Sequence, residues 1–341
     1  MKKTTDDLDG NKDLADPRAK AVFSQEFIEG RFDRMRILNS GEWIPCMENK
    51  PQSYPAYLKS NPNKLFETRK TIYILGLDES ISMGFLENCR KYCEAFYFGL
   101  PVKILDNIDV KELNVKSRGK SDSIQYSAKQ ILTKAKRKIP KDAYAMICVL
   151  NKDIYSREDW NFVFGYASLR ARIGVFSFAR YDPSFFNDDH GMTSEEVEDT
   201  VQFRGIKVMC HEIGHMFGLK HCTYYRCIMN GSMSSEEALL KPCYLCPICL
   251  KKLYFVVQCD ILSRYQALNE ACEISQLFEE TSKWYSEAID YLQDQYTAEG
   301  VETIITPKYP IPRGSKHVSS SKPSAKPSAK ATCKKVVKQL R

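Results

Sequence analysis

The chain is 341 residues long and 43% hydrophobic, ordinary values for one large or two smaller globular domains. No apolar run approaches ~18 residues, which excludes a transmembrane helix, and the opening MKKTTDDLDGNKDLADPRAK lacks the apolar stretch expected of a secretory signal. The formal net charge of +7 belongs to the tail: Thr303 to Arg341 holds ten of the 50 Lys and Arg and no acid, so 40 remain to face 43 acidic residues.

In chain order, residues 1–20 read as a disordered lead. Residues 21–69 read as an N-terminal wrap, extended where Arg36 to Pro62 carries four prolines and Trp43. A core is expected over residues 70–300. Lys70 to Leu77 is rich in β-formers and predicts a strand. Phe85, Leu86, Cys89, Cys93, Phe96 and Tyr97 mark one face of a helix. Val102 to Ile108 predicts a second strand. Ile124, Ala128, Ile131, Leu132 and Ala135 predict a second helix that ends near Pro140. Tyr144 to Leu150 is a continuous apolar run suited to the centre of a sheet. Phe162 to Ala167 and Ile173 to Ala179 follow with no helix between them, so one of the two is expected to be an antiparallel edge strand. Ile173 to Ala179 is the candidate for pairing with an extended substrate. Thr193 and Glu196 form a capping box that opens a helix over about 194–217. Ile261, Tyr265, Leu268, Cys272, Trp284 and Ala288 predict C-terminal helices over about 261–292. Residues 301–341, with the repeat SKPSAKPSAK, are expected to be a disordered basic tail. Alternating strands and helices imply an α+β or α/β fold with a twisted, mostly parallel sheet carrying an antiparallel edge strand.

The helix over about 194–217 runs into HEIGHMFGLKH, residues His211 to His221, which holds three of the chain's five histidines. His211 and His215 are four apart, so a helix places both imidazoles on one face. Glu212 projects at the edge of that face, within reach of a water on the metal. Gly218 permits a positive φ that ends the helix, and the returning chain brings His221 as a third ligand. Three protein ligands with an open fourth position are the donor set of a catalytic zinc. Glu212 is then the expected catalytic general base.

Cys222 follows His221 directly, and Cys227, Cys246 and Cys249 complete two close thiol pairs across the loop 222–249. That set suits a closed, structural zinc site. In extended chain, neighbours face opposite ways, so His221 can serve one metal and Cys222 the other. Cys243 makes an overlapping C-x-x-C with Cys246, and disulfides or buried free thiols stand as the alternative. Thirteen cysteines without a secretory signal point to thiols and metal, and to an intracellular location, cytoplasmic and possibly nuclear.

Together, HEIGHMFGLKHCTYYRCIM and the later CPIC resemble the archaemetzincin family, its second-type animal members most of all. The loop before CPIC is one residue shorter than the family's. The resemblance is specific over about forty residues of motif, and surrounding patterns are compatible from Lys70 to Gln295. It implies a metzincin-like zincin over residues 70–300, with Met229 at the Met-turn position beneath the metal. It implies two zincs per chain, one catalytic and one structural, and a peptide or protein substrate hydrolysed by zinc-activated water. Aminopeptidase and endopeptidase action are not distinguished. Two alternatives come from other classes. One is a catalytically idle zinc protein that binds peptides. The other is an adaptor for acidic partners or nucleic acid, against which the net acidic core argues. Neither a membrane nor a nucleic-acid partner is expected. Tyr224 and Tyr225 lie close in sequence to His221 and are open to two readings, stabilising the oxyanion or simply packing on the cysteine loop. His190 reads as a surface residue that nothing ties to the metal.

Overall fold

A computed structural model describes residues 16–36, 43, 51–119 and 123–300, all within one compact unit. The expectations for residues 1–15, for 37–42 and 44–50 of the wrap, and for the tail from 301 fall outside the described residues. Thr71–Gly76 (β1) and Ala143–Leu150 (β5) are buried at every position, the signature of strands covered on both faces. Side chains alternate between two cores. Ile72, Ile74, Ala145, Ile147 and Val149 join a large cluster, while Tyr73, Leu75, Met146, Cys148 and Leu150 join a smaller one on the opposite face. Helix Ala128–Ala135 covers the smaller cluster. Helices Met83–Phe96 and Ser194–Met216 and the C-terminal helices cover the larger.

The sheet order is β2-β1-β5-β8-β7, with β2 at Val102–Leu105, β7 at Gly165–Ser168 and β8 at Ile173–Ser177. All pairings are parallel except β7 with β8, which is antiparallel. The edge is therefore Gly165–Ser168, not the expected Ile173 to Ala179. The reason is burial. All five residues of β8 are buried between β5 and β7, whereas all four of β7 are half-buried. A second small sheet joins β3 (Ser117–Arg118), β4 (Gln125–Ser127) and β6 (Asp153–Tyr155). The predicted helix from Ile124 loses its first turn to β4 and begins at Ala128.

The N-terminal expectation needs correction. Asp16 caps a helix over Pro17–Val22, so the lead is ordered before residue 20. The wrap is helical at Gln25–Arg31 and Tyr54–Lys59, each opened by a serine N-cap, Ser24 and Ser53. Pro55 reads as a loop signal in sequence but stands in the first turn of a helix, where its missing N–H costs nothing. Phe27 and Phe32 pack against Tyr291 and Trp284 of the last helix, Glu279–Ala298. Pro247–Val257 and Ile261–Ala271 are the other helices that follow the cysteine loop. No described helix is long and apolar enough to cross a membrane.

Candidate metal centres

The helix Ser194–Met216 opens with the capping box. The Thr193 Oγ1 accepts from the Glu196 N–H at 3.2 Å, and the Glu196 carboxylate accepts from the Thr193 N–H at 2.8 Å. Its last two turns carry His211, Glu212 and His215. Gly218 then takes a φ of 86° and donates its N–H to the His215 carbonyl at 2.8 Å, closing the helix. The chain doubles back and brings the His221 ring within 5.1 Å of His211 and 4.8 Å of His215, centre to centre.

Two backbone carbonyls decide the tautomers. The His211 Nδ1 lies 2.8 Å from the Ile228 oxygen, and the His215 Nδ1 lies 2.7 Å from the Leu219 oxygen. A carbonyl can only accept, so each Nδ1 carries the proton and each Nε2 presents a bare lone pair. Those two Nε2 atoms are 3.1 Å apart. Bare lone pairs so close repel unless a cation lies between them, and His211, His215 and His221 together present one nitrogen each within 4.8 Å. Burial holds all three imidazoles below their ordinary range, His215 at about 4, so they are neutral donors at neutral pH. The donor set fits zinc.

Glu212 is buried beside them, and burial pushes its carboxyl up to about 8, with the charge of Lys241 opposing the rise. Gly165 of β7 lies directly over it, and a Cβ there would run into the Glu212 carboxylate. Met229 packs beneath the helix at Gly214, where a Cβ would run into its thioether. Trp43 rests edge-on against His221, ring centres 4.9 Å apart.

The second centre is built from a loop and a helix start. Cys222, Cys227, Cys246 and Cys249 are all buried, with their sulfurs within 4.8 Å of one another. The Cys222 and Cys246 sulfurs are 3.6 Å apart, close to the ~3.8 Å edge of a tetrahedron of thiolates around zinc. Cys246 caps the helix Pro247–Val257 and Cys249 lies in its first turn, where the helix dipole favours negative sulfur. The Cys227 sulfur accepts from the Cys246 N–H at 3.2 Å and the Met229 N–H at 3.4 Å. Hydrogen bonds from its three partner thiols draw the Cys222 thiol well below its ordinary range. Asn230 ties the loop together. Its amide oxygen accepts from the Cys227 N–H at 2.7 Å, and its Nδ2 donates to the Cys222 and Tyr225 carbonyls at 2.8 and 3.0 Å.

The structure thus brings together all eight residues singled out for the two centres. Cys243 is left out of the thiol cluster, and every described cysteine is a free thiol. His190 is exposed. Tyr225 lies under the Arg34 guanidinium, 4.9 Å from its ring centre. Sequence reasoning missed Gly165, Lys241 and the placement of Trp43. Their signal is tertiary, because each comes from a different stretch of chain.

Comparison with known proteins shows the family. The family model for peptidase family M54 matches residues 96–254. Archaemetzincin-2 of Mus musculus is 33% identical over 276 residues, covering 72% of this chain and 77% of the mouse protein. Archaemetzincin-2 of Homo sapiens is 33% identical over 264 residues, 70% of this chain and 73% of the human protein. Among solved structures, an archaemetzincin from Methanopyrus kandleri is similar at 22% identity and a TM-score of 0.45, covering 57% of this chain and 99% of that one. This chain belongs to peptidase family M54, the archaemetzincins, which are zinc metallopeptidases.

Proposed function

We propose that this chain hydrolyses peptide bonds, with His211, His215 and His221 holding a catalytic zinc. Cys222, Cys227, Cys246 and Cys249 hold a second, structural zinc. When bound, the catalytic zinc supplies Lewis-acid polarisation of the scissile carbonyl and lowers the pKa of water toward ~7. Glu212 is the general base. Burial holds this carboxyl at about 8, and the charge of a bound zinc would lower it and favour the ionised form. The carboxylate takes a proton from the water whose oxygen adds to the carbonyl carbon, then passes that proton to the leaving nitrogen as the C–N bond breaks. The free edge of β7 takes an extended peptide by strand addition, which lays the scissile bond over Glu212 beside Gly165. Free thiols throughout the described residues favour a reducing compartment.

The observation that carries this reading is the pair of bare Nε2 atoms 3.1 Å apart beside a buried carboxylate. The same carboxylate argues against an idle metal protein, which has no chemical use for it. The test combines metal analysis with digestion of a peptide library. The wild-type protein should carry two zincs and cleave peptides. Glu212→Gln should keep both zincs and lose at least about 100-fold in kcat/KM. Cleavage unchanged in Glu212→Gln would overturn the mechanism. A zinc count unchanged after all four cysteines become serine, with the fold retained, would overturn the second site.

A further inference from the structure

Three cations line one small hollow against the helix that carries Glu212. Two stand on the helix that carries the histidines. Arg204, Lys207, His211 and His215 follow one another at three, four and four residues, so they form a single stripe along Ser194–Met216. The third, Lys241, comes from the chain beyond Met229, and Tyr181 and Ala238 help close the hollow.

These cations have no carboxylate at ion-pair distance among the described residues, where the ion pairs use other basic groups. Arg204 donates to the Tyr181 carbonyl at 2.9 Å, and Lys207 to the Leu239 carbonyl at 2.9 Å. Lys241 donates to the Asn230 carbonyl at 3.2 Å and the Ser232 hydroxyl at 3.4 Å. Asp182, Asp188 and Glu236 act on Arg204 only at longer range, and Glu237 and Glu212 do the same for Lys241. Among the described residues, no carboxylate stands with the groups that act on Lys207. These are the Cys243 thiol, which burial keeps protonated, and the cations of Arg204 and Arg226, with the Phe203 ring 5.0 Å away.

Lys207 is only 5% exposed. A buried ammonium with carbonyl acceptors alone is costly, and an incoming anion removes that cost. Burial accordingly lowers the proton affinity of both lysines. The charge of Lys241 bears on His211, His215, His221 and Glu212, so the hollow is within electrostatic reach of the reacting centre. Its free volume is about 10 Å³, room for one group the size of a water molecule. One carboxylate oxygen is of that size, and nothing larger enters without displacing a side chain.

We propose that Arg204, Lys207 and Lys241 form a subsite that binds a carboxylate of the peptide substrate at a position adjoining the scissile bond. The carboxylate belongs either to an Asp or Glu side chain or to the peptide's C-terminus. The assignment rests on the peptidase reading and adds a substrate class to it.

The test uses the full-length, zinc-loaded protein. Matched peptides carry Glu or Gln at each position flanking the cleaved bond, with either a free or an amidated C-terminus. One flanking position, or the free terminus, should raise kcat/KM by about tenfold or more over its uncharged match. The free and amidated arms separate the two carboxylate sources. Lys207→Met should bring that ratio to within about twofold of unity. Equal cleavage of all matched pairs would overturn the subsite, as would a preference that survives Lys207→Met. Equilibrium binding of the same peptides to the Glu212→Gln protein is read separately, by fluorescence anisotropy. A charge preference in binding without turnover would uphold the subsite and sink the peptidase reading. Turnover without a charge preference would do the reverse.

Discussion

Gly165 and Gly214 each leave room for a functional side chain, the Glu212 carboxylate in one case and the Met229 thioether in the other. A methyl group at position 165 must displace the carboxylate, because the strand that carries it is tied to β8 along its length. Gly165→Ala should therefore lower kcat/KM by about 100-fold, the scale expected when a reacting group moves by ~1 Å. Zinc content and thermal midpoint should stay near wild type. Unchanged kinetics would show that Glu212 has room to move. At this scale, the histidines were legible because a helix converts sequence spacing into facing directions without help from the rest of the fold. Gly165 was not, since its partner is far along the chain and no local period links them. Lys207 was equally silent. A lysine in an amphipathic helix reads as solvent-facing until the segment that buries it is known.

In the loop between the two centres, one side chain adds three bonds to those of the backbone. Asn230 meets the backbone of Cys222, Tyr225 and Cys227. Its removal leaves one buried N–H and two carbonyls unpaired. Asn230→Ala should destabilise the protein by about 3 kcal/mol. It should also speed zinc release to a chelator from the four-cysteine site. A release rate equal to wild type would show that the thiol cluster alone organises the loop. The cysteine pairs were readable from spacing, but the helix Pro247–Val257 that presents Cys249 was not anticipated. The N-terminal helices were missed for a related reason. Proline and serine punctuate loops and open helices alike, and Ser53 and Pro55 do the second.

At the scale of the whole molecule, strand identities followed from burial patterns, and the swap of edge and interior between β7 and β8 shows where that logic stops. An apolar run reports how well a strand is covered and leaves the order of its neighbours open. Global stability should also register the cost of the cationic hollow. Lys207 has a folded pKa below its unfolded value, so folding disfavours its charged form. That penalty is present at neutral pH and fades as pH rises through the folded value toward the ordinary lysine range of ~10.4. Lys207→Met should raise the thermal midpoint at pH 7, with a gain that shrinks toward pH 10. A lower midpoint at pH 7 would mean that the bond to the Leu239 carbonyl outweighs desolvation. A residue kept at such a cost fits the familiar exchange of stability for activity.

Trp43 places an indole against the proposed catalytic centre. Of the chain's three tryptophans, Trp284 stacks on Tyr244 and Trp160 is partly exposed beneath the Arg157 guanidinium, while Trp43 alone touches a histidine of the site. Gly231 makes that contact possible, because a side chain there would occupy the space of the indole. A zinc bound as proposed at His221 would place its charge against this ring. Stripping that metal with a chelator should therefore shift the protein's tryptophan emission, and an unchanged spectrum would separate Trp43 from the site.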